Sequence, residues 1–357
     1  MASSILRLVE LYIETDCEEL LPYILKRLRQ DKQRAPDAPL IPAARFRFDT
    51  YSEAQCKIFF RFEKHDMLRL VEALRIPAVV VAPDRSRATG VEALCIVLHR
   101  LAYPRRWVES EKMFGRSGAG LSSIYNCMVR DIHGRFRATI AFDEQRLTPE
   151  KMATYARAIK RKGAPLDRCW GFIDGTVRPI CRPIRLQRYV FSGHKRVHAL
   201  KYQSVVCPDG IIAHMFGPLE GKRHDARLLR ESRIIETLAR CAKDVNGELF
   251  YLYGDSAYPL SRYLLAPYRG PSLSSAQARF NRRMGLVRVT VEWGFQKIIA
   301  LWAFMDYKKN QKLYLQSVGT AYLVATLLTN CHSCFYGSEV SQFFDMVPPS
   351  LEEYLHQ

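Results

Sequence analysis

A carboxylate stands at the end of a segment that otherwise has the marks of a buried strand. Residues 170–180 read WGFIDGTVRPI. Trp170, Phe172 and Ile173 are the aromatic and β-branched types that fit a pleated, half-buried surface. Asp174 follows them directly, and Gly175 beside it allows close backbone approach or an unusual turn. Burying a charge is costly unless it is paired or metal-bound. The fold must therefore give Asp174 a cation, or solvent. Alone, an Asp-Gly pair reads as a turn; the residues downstream argue for more.

Two further carboxylates occupy comparable places. Residues 249–253, LFYLY, form a short apolar and aromatic run that again reads as a strand, and it leads into Gly254, Asp255, Ser256, Ala257, Tyr258 and Pro259, where Gly and Pro punctuate a loop. Later, Val291, Phe295, Ile298, Ile299 and Trp302 recur at helical spacing, so Glu292 projects from a helix beside an apolar face. Two acids after strands and a third on a helix can converge on a pair of Mg²⁺ ions, which require oxygen ligands; two ions about 4 Å apart activate water and stabilise the leaving oxygen of a phosphodiester.

These three motifs, D-G-T after a strand, G-D-S-A-Y-P after a second and V-E-W-G-F on a helix, resemble the DDE transposases of the PIF/Harbinger superfamily and the domesticated nucleases derived from them. The resemblance covers about residues 170–334 and extends more loosely upstream through 60–136. It implies an α/β, RNase H-like catalytic domain and a metal-dependent DNA endonuclease or transposase with two Mg²⁺ or Mn²⁺ ions. It implies Asp174, Asp255 and Glu292 as the metal-binding acids. Asp225, in the run GKRHDARLL, competes for the second position because the family carries an His-Asp or related pair there. The fold places its second acid after the fourth strand, which favours Asp255; Asp225 opens a helix, where capping is the ordinary role. The resemblance also implies a Myb/SANT-like DNA-binding partner protein and a location in the nucleus, with the cytoplasm as a second compartment. A domesticated DNA-binding or scaffold protein without cleavage activity is the alternative. A third possibility is a helix-turn-helix regulator whose α/β part serves only for dimerisation.

The charge is unevenly placed. Lys and Arg exceed Asp and Glu by 18 over the 357 residues; residues 151–200 hold 12 basic and 2 acidic residues, and residues 261–312 hold 10 and 2. The rest is neutral, so all the excess lies in the two segments flanking the acids. A phosphate-backbone partner requires that placement. Arg262, Arg282, Arg283 and Arg288, between the second and third acids, are candidate phosphate contacts that also offset repulsion among the carboxylates. His194, Lys195, Arg196 and His198, between the first two strands, are candidates for gripping DNA near the cut, and His224 for orienting the site.

Four segments are expected. Residues 1–58 form a helical extension, a clamp or dimerisation element, and a homodimer is one expected partner. Residues 59–150 are all-helical, with helices at 66–74, 90–103, 109–114 and 121–129. The last two, about a glycine turn, outline a helix-turn-helix in which Ser117, Ser122, Ser123, Tyr125 and Asn126 reach DNA and Arg116 and Arg130 meet phosphates. Residues 151–335 form the nuclease domain, with strands at 169–173, 200–206, 211–216 and 249–253, a hairpin turn at 207–210, a helix at 225–239 and an apolar core helix at 314–329. Residues 336–357 are a loosely attached tail. No run reaches the roughly 18 to 20 apolar residues of a membrane span, and the N-terminus lacks a secretory signal. The ten cysteines read as reduced thiols, and Cys331-x-x-Cys334 is half of a zinc motif with no second half.

Overall fold

The computed structural model describes residues 21–26, which are helical, and residues 45–356. The expected helical pattern before residue 21 lies outside the described residues. Arg45–Gln357 form one compact unit, so the boundaries expected near residues 58, 150 and 335 fall inside continuous structure. No helix among the described residues is long and apolar enough to cross a membrane.

The unit begins with helices. Helix α1 (Glu53–Phe60) starts at Ser52, whose Oγ accepts from the Gln55 amide at 3.2 Å while the Gln55 side chain accepts in return. After α2 (Lys64–Ala73) and a small hairpin of β1 (Val79–Val81) and β2 (Arg87–Thr89), α3 (Gly90–Ala102) is apolar nearly all round and is accordingly buried except at Val91. The expected helix pair is present as α4 (Trp107–Phe114) and α5 (Gly118–Ala141), joined through Gly115 in a left-handed conformation. The second helix runs for 24 residues. Its Leu121, Ile124, Tyr125, Met128 and Ile132 are buried in the common core. A face committed to the core cannot enter a DNA groove, and Tyr125 is only 3% exposed. Arg116 gives both arms of its fork to Glu92, at 2.5 and 2.8 Å, in a largely buried pair. The pair is a support of the bundle rather than a phosphate contact. Arg130 remains exposed.

After α6 (Pro149–Arg161) comes the mixed sheet. Strand β3 (Cys169–Pro179) is central, flanked by β5 (Val197–Val206) on one side and β7 (Tyr251–Tyr253) on the other; β6 (Ile212–Glu220) and the two-residue β4 (Phe191–Ser192) pair with β5, and β8 (Leu264–Leu265) with β7. The pairs β3–β5 and β5–β6 are antiparallel, whereas β3–β7 and β7–β8 are parallel. A mixed sheet of this kind, with a helix-rich N-terminal region, is consistent with an RNase H-like domain. The hairpin turn forms as expected: Gly210 donates to the Cys207 carbonyl at 2.9 Å and the Ile211 amide to Asp209 Oδ1 at 3.1 Å. Asp209 is anchored from below by Arg146 at 3.0 Å and by the Tyr155 hydroxyl.

Both faces of the sheet are covered. Short helix α7 (Gln187–Val190) lies in the β3–β5 connection. Trp170, Ile173, Val205 and Leu252 pack with Tyr155 of α6 and with α8 (Asp225–Ser232) and α9 (Ile234–Cys241). Phe172, Tyr202, Val206 and Tyr253 pack with α10 (Ser275–Arg288), α11 (Thr290–Leu301) and α12 (Val318–Tyr336). Gly294 lets α11 lie directly on the sheet, since a Cβ there would stand 2.8 Å from Val206. The single helix expected at 225–239 is broken at Arg233, which takes a left-handed conformation.

The tail is a correction. Helices α13 (Glu339–Phe343) and α14 (Leu351–Leu355) bury Val340, Leu351, Tyr354 and Leu355. The Asn330 amide donates to the Tyr354 hydroxyl at 2.8 Å, and Arg69 pairs with Glu352 at 2.7 Å. Apolar residues spaced through a Pro-containing tail read as loose in sequence because their partners are distant in the chain.

Candidate active site

The site is set by the register of two parallel strands. Phe172 of β3 lies opposite Tyr253 of β7. Asp174 and Asp255 each follow two residues later: Asp174 lies inside β3, which runs past the expected end at residue 173 to Pro179, and Asp255 lies just beyond β7, so the two residues stand at the same level of neighbouring strands about 4.8 Å apart. The pleat sends Asp174 to the same face as Phe172, toward the end of α10. There Arg288 Nη1 donates to its Oδ2 at 3.3 Å, and the Gly175 amide donates to Oδ1 at 2.8 Å. Partial burial raises the Asp174 carboxyl from 3.8 to about 6; Arg288 and the Gly175 amide pull down against this, and Asp255 adds to the rise. Asp255 turns its own Oδ1 to the Ala257 amide at 2.7 Å, closing the loop after β7.

Asp225 arrives from the other face. A Cβ on Gly175 would stand 3.0 Å from Asp225 Oδ1 and 3.7 Å from the Tyr258 hydroxyl, so glycine is what lets these two groups approach β3. Asp225 is the first residue of α8 but does not cap it; Lys201 Nζ donates to its Oδ1 at 3.2 Å. Tyr258 is 3% exposed, and its hydroxyl is buried without a hydrogen-bond partner. Burial raises that phenol well above its ordinary value, and Asp225, Asp174 and Asp255 raise it further, in that order.

Glu292 completes the group from α11. It is exposed, and Arg288 one turn before it stands 3.7 Å from its Oε1. Arg288 thus bridges Asp174 and Glu292. Asp225, Asp174 and Asp255 surround the unpartnered hydroxyl, Lys201 pairs with Asp225, and Arg288 links Asp174 to the exposed Glu292. An all-oxygen donor set with excess negative charge fits a hard divalent cation. No three of the four acids bring their oxygens within 4.8 Å of one another; among the described residues Glu53, Glu63 and His65 do so. Acids that serve two ions about 4 Å apart, each reached at about 2.1 Å, span more than that. The tighter trio, at α1 and α2, is already engaged: Glu63 with Lys57 at 2.9 Å and Glu53 with the Lys64 amide.

Residues 173–330 match the family described as DDE superfamily endonuclease. The match opens one residue before Asp174 and closes within α12, so it spans all four acids. This stretch is similar to the DDE superfamily endonucleases. Protein ALP1-like of Arabidopsis thaliana is 26% identical over 152 residues, covering 40% of this chain and 37% of that protein. The chain therefore spans little more than a third of that relative. No solved structure matches. The two matches support a Harbinger-type DDE transposase-like family, in line with the three motifs.

The remaining candidates of this stretch are surface residues outside the group of acids. His194, Lys195, Arg196, Arg262, Arg282 and Arg283 are exposed, as is His224, and Arg283 also donates to the Gly163 carbonyl at 2.8 Å. Arg288 was a candidate phosphate contact and stands among the acids themselves. Two participants escaped the sequence. Tyr258 lies in the quoted G-D-S-A-Y-P motif, three residues after an acid, where loop chemistry masks it. Lys201 gives no signal, since only the β5–β6 pairing carries it to Asp225. Cavities of about 550 Å³ beside Trp293 and Lys297 and of about 530 Å³ beside Tyr268 include none of the acids.

Proposed function

We propose that this chain is a metal-dependent DNA endonuclease of the Harbinger transposase type, built on an RNase H-like fold. The observation that carries this is the placement of Asp174 within β3 and Asp255 just past its parallel neighbour β7 at the same level, with Arg288 linking Asp174 to Glu292. Asp174, Asp255 and Glu292 are the residues to hold two Mg²⁺ or Mn²⁺ ions. Bound there, such ions supply an activated water and stabilise the leaving oxygen of a phosphodiester. Asp225, paired with Lys201 and seated on Gly175, positions the strand that carries Asp174 and stands near enough to join the set. Arg288 offsets repulsion among the acids, and its planar fork suits a phosphodiester oxygen as well as a carboxylate. The Tyr258 hydroxyl is buried among Asp225, Asp174 and Asp255. In a full transposase a freed 3′-OH then attacks target DNA at this site. DNA as substrate, a Myb/SANT-like partner and a nuclear location belong to the same proposal and follow from the family resemblance.

A second reading, a domesticated DNA-binding protein without cleavage, is favoured by one feature: Arg288 spans Asp174 and Glu292, where ions would otherwise draw them together. Incubation of supercoiled plasmid with Mg²⁺ or Mn²⁺, with DNA binding followed in parallel, separates the two. Nicking that disappears with chelator supports the nuclease. Binding without nicking, with the candidate partner also supplied, replaces it with the binder.

A further inference from the structure

Two exposed loops meet at the end of the β3–β5 pair beyond Asp174. The first runs from the end of β3 through α7 to β4; the second connects α11 to α12. They are tied together where the Cys181 amide donates to the Gln311 carbonyl at 3.0 Å. The second loop is anchored from inside, since Gln311 is 2% exposed and its side chain donates to the Phe304 carbonyl. From these stems apolar side chains point into solvent: Ile184 is 93% exposed, Leu186 61%, Tyr314 67% and Leu315 77%. Leu186 and Tyr314 also sit at φ 56° and 70°. That left-handed backbone is unfavourable for a bulky residue and is kept where a surrounding function or structure requires it.

The charge around them has one sign. Between Asp174 and Asp209 the chain has no acidic residue, and between Asp306 and Glu339 it again has none. Arg185, Arg188, Lys195 and Arg196 in the first loop, and Lys308, Lys309 and Lys312 in the second, are exposed and form no ion pair among the described residues. Tyr189 and Phe191 extend the apolar rim, with Lys222 Nζ 4.1 Å above the Tyr189 ring. Free cations interleaved with protruding apolar and aromatic groups are what an unstacked nucleic-acid strand selects: the cations follow the phosphates, while apolar side chains wedge between bases or offer them a face. An acidic protein surface would use the cations and leave Ile184 and Leu315 in water.

We propose that the paired loops at residues 181–196 and 307–315 form a binding surface for unpaired DNA, holding one strand open at the end of the β3–β5 pair. This rests on the DNA-acting role proposed above and adds the form of the DNA to it.

The test uses the full chain in chelator, so that cutting does not intervene. Fluorescence anisotropy compares an oligothymidylate of about 20 nucleotides with a blunt duplex of the same length. Ile184→Ser with Leu186→Ser, and separately Tyr314→Ser with Leu315→Ser, are expected to weaken oligothymidylate binding about tenfold while duplex binding stays within about twofold. Arg185→Gln with Arg188→Gln is expected to weaken both probes and to flatten the salt dependence. All six side chains are exposed, and the two apolar pairs lie in separate loops, so one failed fold does not void the test. Apolar variants that bind oligothymidylate as the wild type does overturn this inference and leave the nuclease standing. A wild type that binds neither probe overturns both.

Discussion

Asp174 is held where ionising it costs stability. Its folded-state pKa of about 6 lies above the free value of 3.8, so the folded chain binds this proton more tightly than the unfolded chain does. The resulting stabilisation is complete below about pH 4 and is lost as pH rises through about 6. Asp174→Asn stays neutral throughout. In chelator it should raise the free energy of unfolding by about 1–3 kcal/mol above pH 6, with the gain shrinking toward pH 4. Urea unfolding across that range measures it; equal stability of the two proteins at neutral pH would remove the argument that a bound cation is needed there. Tyr258→Phe makes a complementary case. Its hydroxyl is buried and unpartnered, so removing it should leave stability unchanged or raise it by up to about 1 kcal/mol. If the hydroxyl orients the neighbouring carboxylates, kcat should fall about tenfold or more with KM little changed. A variant that cuts at the wild-type rate would make Tyr258 a packing residue only.

The elements divide into those whose signals are local and those that need distant partners. Strands β3, β5, β6 and β7 and the turn at Asp209 were legible because aromatic and β-branched runs ended by Gly, Pro and Asp report on themselves. The same locality made Asp174 and Asp255 visible, each following an aromatic run, although β3 continues through Asp174 to Pro179. The break at Arg233, the burial of α5 and the docking of α14 were not legible, since each depends on what packs against it. Arg116 shows why a basic residue at a turn is a poor guide: Glu92 lies 24 positions back in sequence and takes both arms of its fork. The docked tail carries its own prediction. Tyr354→Ala empties a fully buried site and leaves Asn330 short of a partner, so it should cost about 3–5 kcal/mol in urea unfolding. A loss below about 1 kcal/mol would mean that α14 is only loosely held.

For the whole molecule, buried histidines set the acid limit of stability. Burial lowers His99 and His214 to about 4 and His332 to about 3. All three lie below the ordinary 6.5, so the unfolded chain takes up these protons first. Their contribution is intact above about pH 6.5 and drains away as pH falls toward 4, at about 1.4 kcal/mol per pH unit for each histidine. Asp174 works in the opposite direction between pH 4 and 6, but it is one group against three. Urea midpoints should therefore fall steeply below pH 6.5, and a flat profile would contradict neutral burial of these rings.

The excess of charge over the whole chain also favours DNA binding by every acid variant, since phosphate contacts do not pass through the carboxylates. That separation makes one measurement decisive: nicking of supercoiled plasmid in Mg²⁺ or Mn²⁺ by the wild type and by Asp174→Asn, Asp225→Asn, Asp255→Asn and Glu292→Gln, each checked for DNA binding. Asp174→Asn, Asp255→Asn and Glu292→Gln are expected to bind DNA and not cut, while Asp225→Asn keeps measurable cutting. Loss with Asp225→Asn and retention with Asp255→Asn would exchange the second acid. Undiminished cutting by Asp174→Asn would contradict the site altogether.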